Sequence, residues 1–63
     1  GRFNSNAMSD IELCTMIDQQ VLPSLGWNSV YELTDKDRLL VMQTLVEDFS
    51  LPARQVRRCL ALA

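Results

Sequence analysis

The chain contains no histidine and only two glycines among its 63 residues. Histidine is the most frequent general base in enzymes and a common zinc ligand, so its absence removes most zinc sites and many catalytic arrangements. No glycine-rich phosphate loop is present, and no serine or cysteine has an evident base partner. We therefore expect no catalytic residue, no metal, no cofactor and no small-molecule ligand, and we do not expect an enzyme.

Long apolar runs are missing as well. None approaches the roughly 20 residues that a membrane-spanning helix needs, and no basic-then-apolar leader precedes the domain. These absences predict no membrane association and a cytoplasmic location. The two cysteines, Cys14 and Cys59, stand far apart and are predicted to be separate, buried apolar residues in a reducing compartment.

The first seven residues, GRFNSNA, look like the remnant of an expression tag, because Ser-Asn-Ala directly before a methionine is a familiar scar of tag removal. Residues 1–7 are therefore set aside, and residues 8–63 are expected to form one domain that begins at Met8. A domain of that size buries only about 60% of its unfolded surface, so its core is small and a partner chain could complete it.

The next segment has the pattern of a capped amphipathic helix. Ser9 is followed three residues later by Glu12, the spacing of a capping box, and this predicts a helix over 9–22. Pro23 and Gly26 predict an end or a kink near Leu22 and a turn by Gly26. The stripe expected to face the core consists of Ile11, Leu13, Cys14, Ile17 and Val21.

A short element follows at 27–33. Asn28 or Ser29 can cap a single helical turn there. That turn is expected to direct Trp27, Val30, Tyr31 and Leu33 towards the core.

A second long helix is predicted over 35–48, with Thr34 as its N-cap and Asp37 at the capping-box position. Its buried stripe is expected to contain Leu39, Met42, Leu45, Val46 and Phe49, widened by Val41. Leu40 projects away from that stripe, so it is either covered by another helix or exposed as a contact point.

Ser50 is predicted to cap a last helix, which starts at 51 or 52, carries Pro52 in its first turn and runs to 62. No strand pattern or internal repeat is present. The fold class is therefore predicted as all-α, a small bundle of three to four helices.

Charge is divided unevenly along this chain, whose formal net charge is −2. Residues 8–48 contain all eight acidic residues and two basic ones, whereas 49–63 contain three arginines and no acid. On a helical wheel these arginines share one edge, opposite the apolar side of the last helix. They are Arg54, Arg57 and Arg58.

The stretch LVEDFSLPARQVRRCL, at 45–60, resembles the helix-turn-helix of bacterial DNA-binding proteins, especially transposases, recombinases and small repressors. The resemblance implies a C-terminal helix-turn-helix over about 35–62. Ser50 stands where such proteins most often have glycine, and Val46 where they usually have a small residue. The apolar positions of the motif would be filled by Leu45, Phe49, Leu51, Val56 and Leu60, with support from Cys59.

The same resemblance implies that the domain reads double-stranded DNA with its last helix. Ala53, Arg54 and Gln55 would then lie near base edges, and Arg57 and Arg58 near bases or phosphates. Arginine suits both tasks, because its planar fork can bind guanine or a phosphate with two hydrogen bonds.

Two other interpretations stay open. The arginines can form a solvated face that balances the acidic remainder, with Arg54 or Arg58 paired to Glu47 or Asp48. Alternatively, the domain is a helical interaction or dimerisation module, with the helix at 9–22 as the first candidate surface. Leu40 and Met16 are the candidate dimer contacts. A homodimer is also compatible with DNA binding, since helix-turn-helix proteins usually bind as dimers.

Overall fold

The computed structural model describes residues 8–62, so the seven residues attributed to a tag lie outside the described part. Within 8–62 the chain is helical and has no strand, which confirms the all-α prediction. Four α-helical elements occur along it: α1 Asp10–Met16, α2 Leu22–Ser24, α3 Asp35–Asp48 and α4 Ala53–Cys59. α1 and α2 are joined by a π-helical turn, Ile17–Val21, and a 3-10 turn, Val30–Glu32, precedes α3.

The predicted capping box starts α1. The Ser9 hydroxyl accepts a hydrogen bond from the Glu12 backbone N–H (3.2 Å), and a Glu12 carboxylate oxygen accepts one from the Ser9 N–H (2.9 Å). The helix then widens in the π-helical turn, where the Leu22 N–H donates to the Ile17 carbonyl. This widening accommodates Pro23, which has no N–H to donate and whose ring would meet the carbonyl four residues earlier.

Gly26 ends this first helical stretch in the left-handed conformation, with φ of 95°. Its N–H donates to the Pro23 carbonyl (3.1 Å), and the Trp27 N–H donates to the Leu22 carbonyl (2.9 Å). Glycine is favoured there because a side chain would be strained at positive φ. The predicted turn by Gly26 is therefore confirmed, whereas the helix does not end at Leu22 but continues through Pro23 to Ser24.

The caps of the next two elements also follow the sequence. The Ser29 hydroxyl accepts from the Tyr31 N–H (3.0 Å) and starts the 3-10 turn. Thr34 accepts from the Asp37 N–H (3.1 Å) and starts α3, whose bounds agree with the predicted helix.

Ser50 does not cap the last helix, so that prediction is wrong. Its backbone is left-handed, with φ of 57°, and the Leu51 N–H donates to the Leu45 carbonyl (3.2 Å). Ser50 thus closes the end of α3 instead of opening α4. Pro52 is the N-cap of α4 and offers no side-chain hydrogen bond. The helix spans Ala53–Cys59 and is therefore shorter than the predicted helix, which starts at 51 or 52 and runs to 62.

α4 ends in a second left-handed residue, Ala61, with φ of 57°. The Ala61 N–H donates to the Arg58 carbonyl (3.2 Å) and the Leu62 N–H to the Arg57 carbonyl (2.9 Å). This pair of bonds satisfies the last carbonyls of the helix.

The core lies where α1, α3 and α4 meet. Its buried residues are Leu13, Met16, Ile17, Leu22, Val30, Leu33, Val41, Leu45, Leu51, Val56 and Leu60. Several predicted core positions are wrong, because the inner faces of the helices are rotated from the predicted stripes. Ile11 is 79% exposed and Tyr31 84% exposed, and Leu39 and Phe49 are about half exposed, whereas Val41 is buried.

Met16 is another correction. It was a candidate dimer contact, but its side chain is 7% exposed and belongs to the core, so it has little surface to offer a partner.

Cys14 and Cys59 form a disulfide, with their Cα atoms 4.9 Å apart. The prediction of two separate cysteines is therefore wrong. α1 packs directly on α4, and this contact brings together two residues that are 45 positions apart in the chain.

Arg38 connects two other parts of the domain. Its guanidinium donates to the Ala61 carbonyl (Nη1, 3.2 Å) and to the Val30 carbonyl (Nη2, 3.2 Å), while its Nε is buried without a hydrogen-bond partner. It therefore ties the start of α3 to the end of α4.

α3 is the longest described helix at 14 residues, and none of the helices in 8–62 combines the length and apolar character needed to cross a bilayer.

Candidate nucleic-acid interface

α3, the turn at 49–52 and α4 form the segment that resembles a helix-turn-helix. The left-handed Ser50 lies in the turn, at the position where the resembled proteins most often have glycine. Val56 and Leu60 are fully buried and Leu51 nearly so, which anchors the inner side of α4 to the core. The opposite side of α4 faces outwards.

The start of this outer side consists of Ala53 and Arg54, both exposed. The Arg54 guanidinium makes no hydrogen bond or ion pair within the described residues. Its charge is therefore available to a ligand without any internal contact being broken.

Arg57 is exposed on the last turn of α4. A cation there is favoured by the partial negative charge at the helix C-terminus. Arg54 and Arg57 are three residues apart and lie on one edge of the helix, as predicted.

Arg58 shares that edge but is bound by the first turn of α1. Its Nε donates to Asp10 Oδ2 (2.9 Å) and its Nη2 to Asp10 Oδ1 (3.2 Å), with both side chains about half exposed. The predicted pairing of Arg58 with Glu47 or Asp48 is therefore wrong. The partner is an acid 48 residues away.

Gln55 also binds the Asp10 carboxylate. Its amide nitrogen donates to Asp10 Oδ1 (2.8 Å) and to the Met8 carbonyl (3.1 Å). These bonds occupy the donor group that a base contact would need. Of the five predicted DNA contacts, the structure leaves Ala53, Arg54 and Arg57 exposed, and holds Gln55 and Arg58 against α1.

The cluster also determines the protonation of Asp10. The hydrogen bonds from Arg58 and then Gln55 lower the pKa of the Asp10 carboxyl below its usual value, and partial burial opposes them. The pKa of Arg58 is raised for the reciprocal reason. Asp10 also lies at the N-terminus of α1, where the helix dipole favours a negative charge. We refer to Asp10, Gln55 and Arg58 as the Asp10 cluster.

An apolar groove lies elsewhere, between the end of α2 and the outer side of α3, with a volume of about 520 Å³. Leu25, Trp27 and Phe49 line it, together with Leu40, which is 54% exposed. Of the two alternatives for Leu40, cover by another helix or exposure, the structure shows exposure.

No group of three or more acidic, cysteine or histidine side chains within 8–62 could hold a metal ion. Comparison of the chain with protein families, with curated proteins and with solved structures gives no match. The likeness of residues 45–60 to a helix-turn-helix therefore stays a resemblance in sequence pattern.

Proposed function

We propose that this domain binds double-stranded DNA through α4, as the DNA-reading module of a regulatory or recombination-associated protein. The observation that supports the proposal is the position of Arg54. Among residues 8–62 it is an exposed arginine without a hydrogen-bond or ion-pair partner, on the first turn of a helix that follows a tight left-handed turn. Recognition helices of this type contact base edges mainly through their N-terminal residues.

The exposed residues of α4 suit different parts of a DNA duplex. Ala53 has a small side chain that permits close approach, and Arg54 beside it can reach a base edge or a phosphate. Arg57 lies one turn further along, in the position of a backbone contact. Arg58 contributes its charge when a phosphate replaces the Asp10 carboxylate.

The acidic remainder shapes this binding. The chain carries a net charge of −2, and the acids of 8–48 repel phosphates wherever they approach them. Non-specific binding should therefore be weak and sensitive to salt, and α4 should be the surface that is turned towards the duplex.

Fluorescence anisotropy with a mixed-sequence duplex at low salt tests the proposal. Arg54→Ala should weaken binding, whereas Gln19→Glu, which changes the net charge equally at an exposed position on the π-helical turn, should not. If Arg54 contacts a phosphate, its loss should reduce the salt slope by about 1; if it contacts a base, the loss should cost about 1 to 3 kcal/mol and relax specificity.

Arg54→Lys separates these roles further. A lysine retains the charge that a phosphate needs but lacks the fork that a guanine recognises. Absence of binding by the folded wild-type protein at high micromolar concentration would rule the proposal out.

The apolar groove favours a second candidate, a protein-interaction module that binds no nucleic acid. Exposed apolar surface of this kind often marks a protein contact. Such a module would show no change in anisotropy with any duplex, and its binding to a protein partner would depend on Leu40.

A further inference from the structure

We infer that the outer face of α3 pairs with the same face of a second copy of this chain, antiparallel and across a two-fold axis. This inference does not depend on DNA binding. It is carried by the spacing, exposure and charge of residues on α3 that the core does not use.

The outer face of α3 is a stripe of exposed residues. Lys36, Leu40, Gln43 and Glu47 recur at intervals of four, three and four residues, so they lie along one side of the helix. Leu39 and Thr44 flank the stripe and are exposed too. Its middle therefore carries two exposed leucines, Leu39 and Leu40, beside two uncharged polar residues, on a helix whose opposite side packs on the core.

The charges of the stripe are self-complementary in one orientation. Lys36 stands at its N-terminal end and Glu47 at its C-terminal end, about 17 Å away along the helix axis. A two-fold axis near the level of Val41 brings each Lys36 beside Glu47 of the second copy. A parallel pair would instead place Lys36 beside Lys36 and Glu47 beside Glu47, and would align the helix dipoles unfavourably.

The neighbouring acids do not cancel this match. Asp35 and Asp37 are adjacent to Lys36 in the sequence, but each is rotated by about 100° around the helix, away from the stripe. Asp48 lies at the same end as Glu47 and adds negative charge where the second copy presents Lys36.

The antiparallel register also brings the second copy to the edge of the apolar groove, which Leu40 itself lines. With Lys36 opposite Glu47, Leu40 of the second copy lies opposite Gln43, next in the chain to Thr44, which lines the groove too. The Thr44 hydroxyl donates to the Leu40 carbonyl of its own helix (3.1 Å), and the Ser24 hydroxyl donates to the Val21 carbonyl (2.6 Å). Both hydroxyls thus have hydrogen-bond partners within their own helices. A leucine from the second copy can therefore cover them without breaking a hydrogen bond.

α1 is a poorer candidate for self-association than its place in the sequence suggests. Of its apolar residues, Leu13 and Met16 face the core and only Ile11 is exposed, while its exposed side, continued into the π-helical turn, carries Glu12 and Asp18. Two such sides would repel each other.

Sedimentation velocity over a range of protein concentrations, without DNA, tests the inference. We expect a concentration-dependent dimer that Leu40→Glu converts to monomer. Ile11→Glu, which places the same charge on an exposed apolar position of α1, should leave the dimer unchanged. A wild-type protein that stays monomeric at millimolar concentration would overturn the inference, as would a dimer that survives Leu40→Glu.

Charge reversal tests the register. Lys36→Glu should raise the dimer dissociation constant by about tenfold, because two symmetry-related pairs become repulsive. The double variant Lys36→Glu/Glu47→Lys should restore dimerisation, and failure of this rescue would overturn the antiparallel arrangement. Circular dichroism identifies any variant that has unfolded. Because DNA is absent throughout, these outcomes are independent of the function proposed for α4.

Discussion

Asp10, on the first turn of α1, holds the guanidinium of Arg58 on α4 through two hydrogen bonds of 2.9 and 3.2 Å. The same carboxylate accepts the Gln55 amide at 2.8 Å. One acid thus fixes two side chains on the helix that we propose to read DNA, and it competes with phosphate for Arg58. In the proposed complex with DNA, this competition would make the Asp10 cluster a determinant of affinity as well as of the fold.

Removal of the Asp10 carboxylate should strengthen DNA binding. In Asp10→Ala, Arg58 and Gln55 lose their internal acceptor and become available to the duplex, and a nearby negative charge disappears. Anisotropy should show a lower dissociation constant at low salt, and a series of salt concentrations should show a steeper salt dependence. Asp18→Ala, which removes an exposed acid from the π-helical turn, is the control. An equal effect from both variants would mean that only net charge matters.

The stability of the domain should depend on the ionisation of Asp10. Because its folded pKa lies below the unfolded value, the ionised carboxylate stabilises the fold above the ordinary aspartate pKa, and this contribution is lost as the pH falls through the folded pKa. Urea denaturation of wild type and Asp10→Asn should therefore differ at neutral pH and converge in acid. A difference that persists at the lowest pH would contradict this reading.

Loss of the Cys14–Cys59 disulfide should destabilise the domain severely. Opening a loop of 45 residues costs about 4 kcal/mol in the chain-entropy model. The whole stability of a chain this small is roughly 3 to 8 kcal/mol. The melting temperature should fall sharply on reduction. The variant Cys14→Ser/Cys59→Ser should have this lower melting temperature with or without reductant. If a thiol reagent labels the unreduced native protein, the disulfide is not formed.

Ser50→Gly should stabilise the turn between α3 and α4. An L-residue at positive φ, such as Ser50, costs about 1 to 2 kcal/mol. Glycine removes this strain but also makes the unfolded chain more flexible, so only part of the cost is recovered. We expect a gain of about 0.5 to 1 kcal/mol in urea denaturation. Ser50→Ala, which keeps a β-carbon, should bring no such gain. A destabilised glycine variant would mean that the serine side chain itself supports the turn.

Val56→Asp should unfold the α3–α4 pair, since it places an unpaired charge in a side chain that is fully buried. The expected loss exceeds about 3 kcal/mol, visible as lost helicity in circular dichroism. Ala53→Asp on the same helix is the control: it is exposed and lies in the first turn, where the dipole favours an acid. Unchanged melting of the Val56 variant would contradict the observed rotation of α4.

Local sequence signals predicted most of the fold. The Ser9, Ser29 and Thr34 caps and the stop at Gly26 were all readable, because each depends on residues within about four positions of it. Ser50 misled because serine favours helix N-caps, while its left-handed conformation is set by the need to turn α4 back onto the core.

The candidate site was less readable. The shared edge of Arg54 and Arg57 follows from helical periodicity alone, but the Asp10 cluster and the disulfide join positions 45 or more residues apart. Neither arrangement has a local signal in the sequence. The predictions that Ile11 and Tyr31 face the core were wrong for a related reason. Which side of a helical segment is buried depends on the segments that pack against it, and the local sequence does not specify those neighbours.

The disulfide between α1 and α4 closes a covalent ring that contains α2, α3 and all of α4. A protease that cuts the loop at 26–29 once would therefore release no fragment, and the two pieces would still be held by the disulfide and the shared core. An unchanged band on a non-reducing gel would not prove that the backbone is whole.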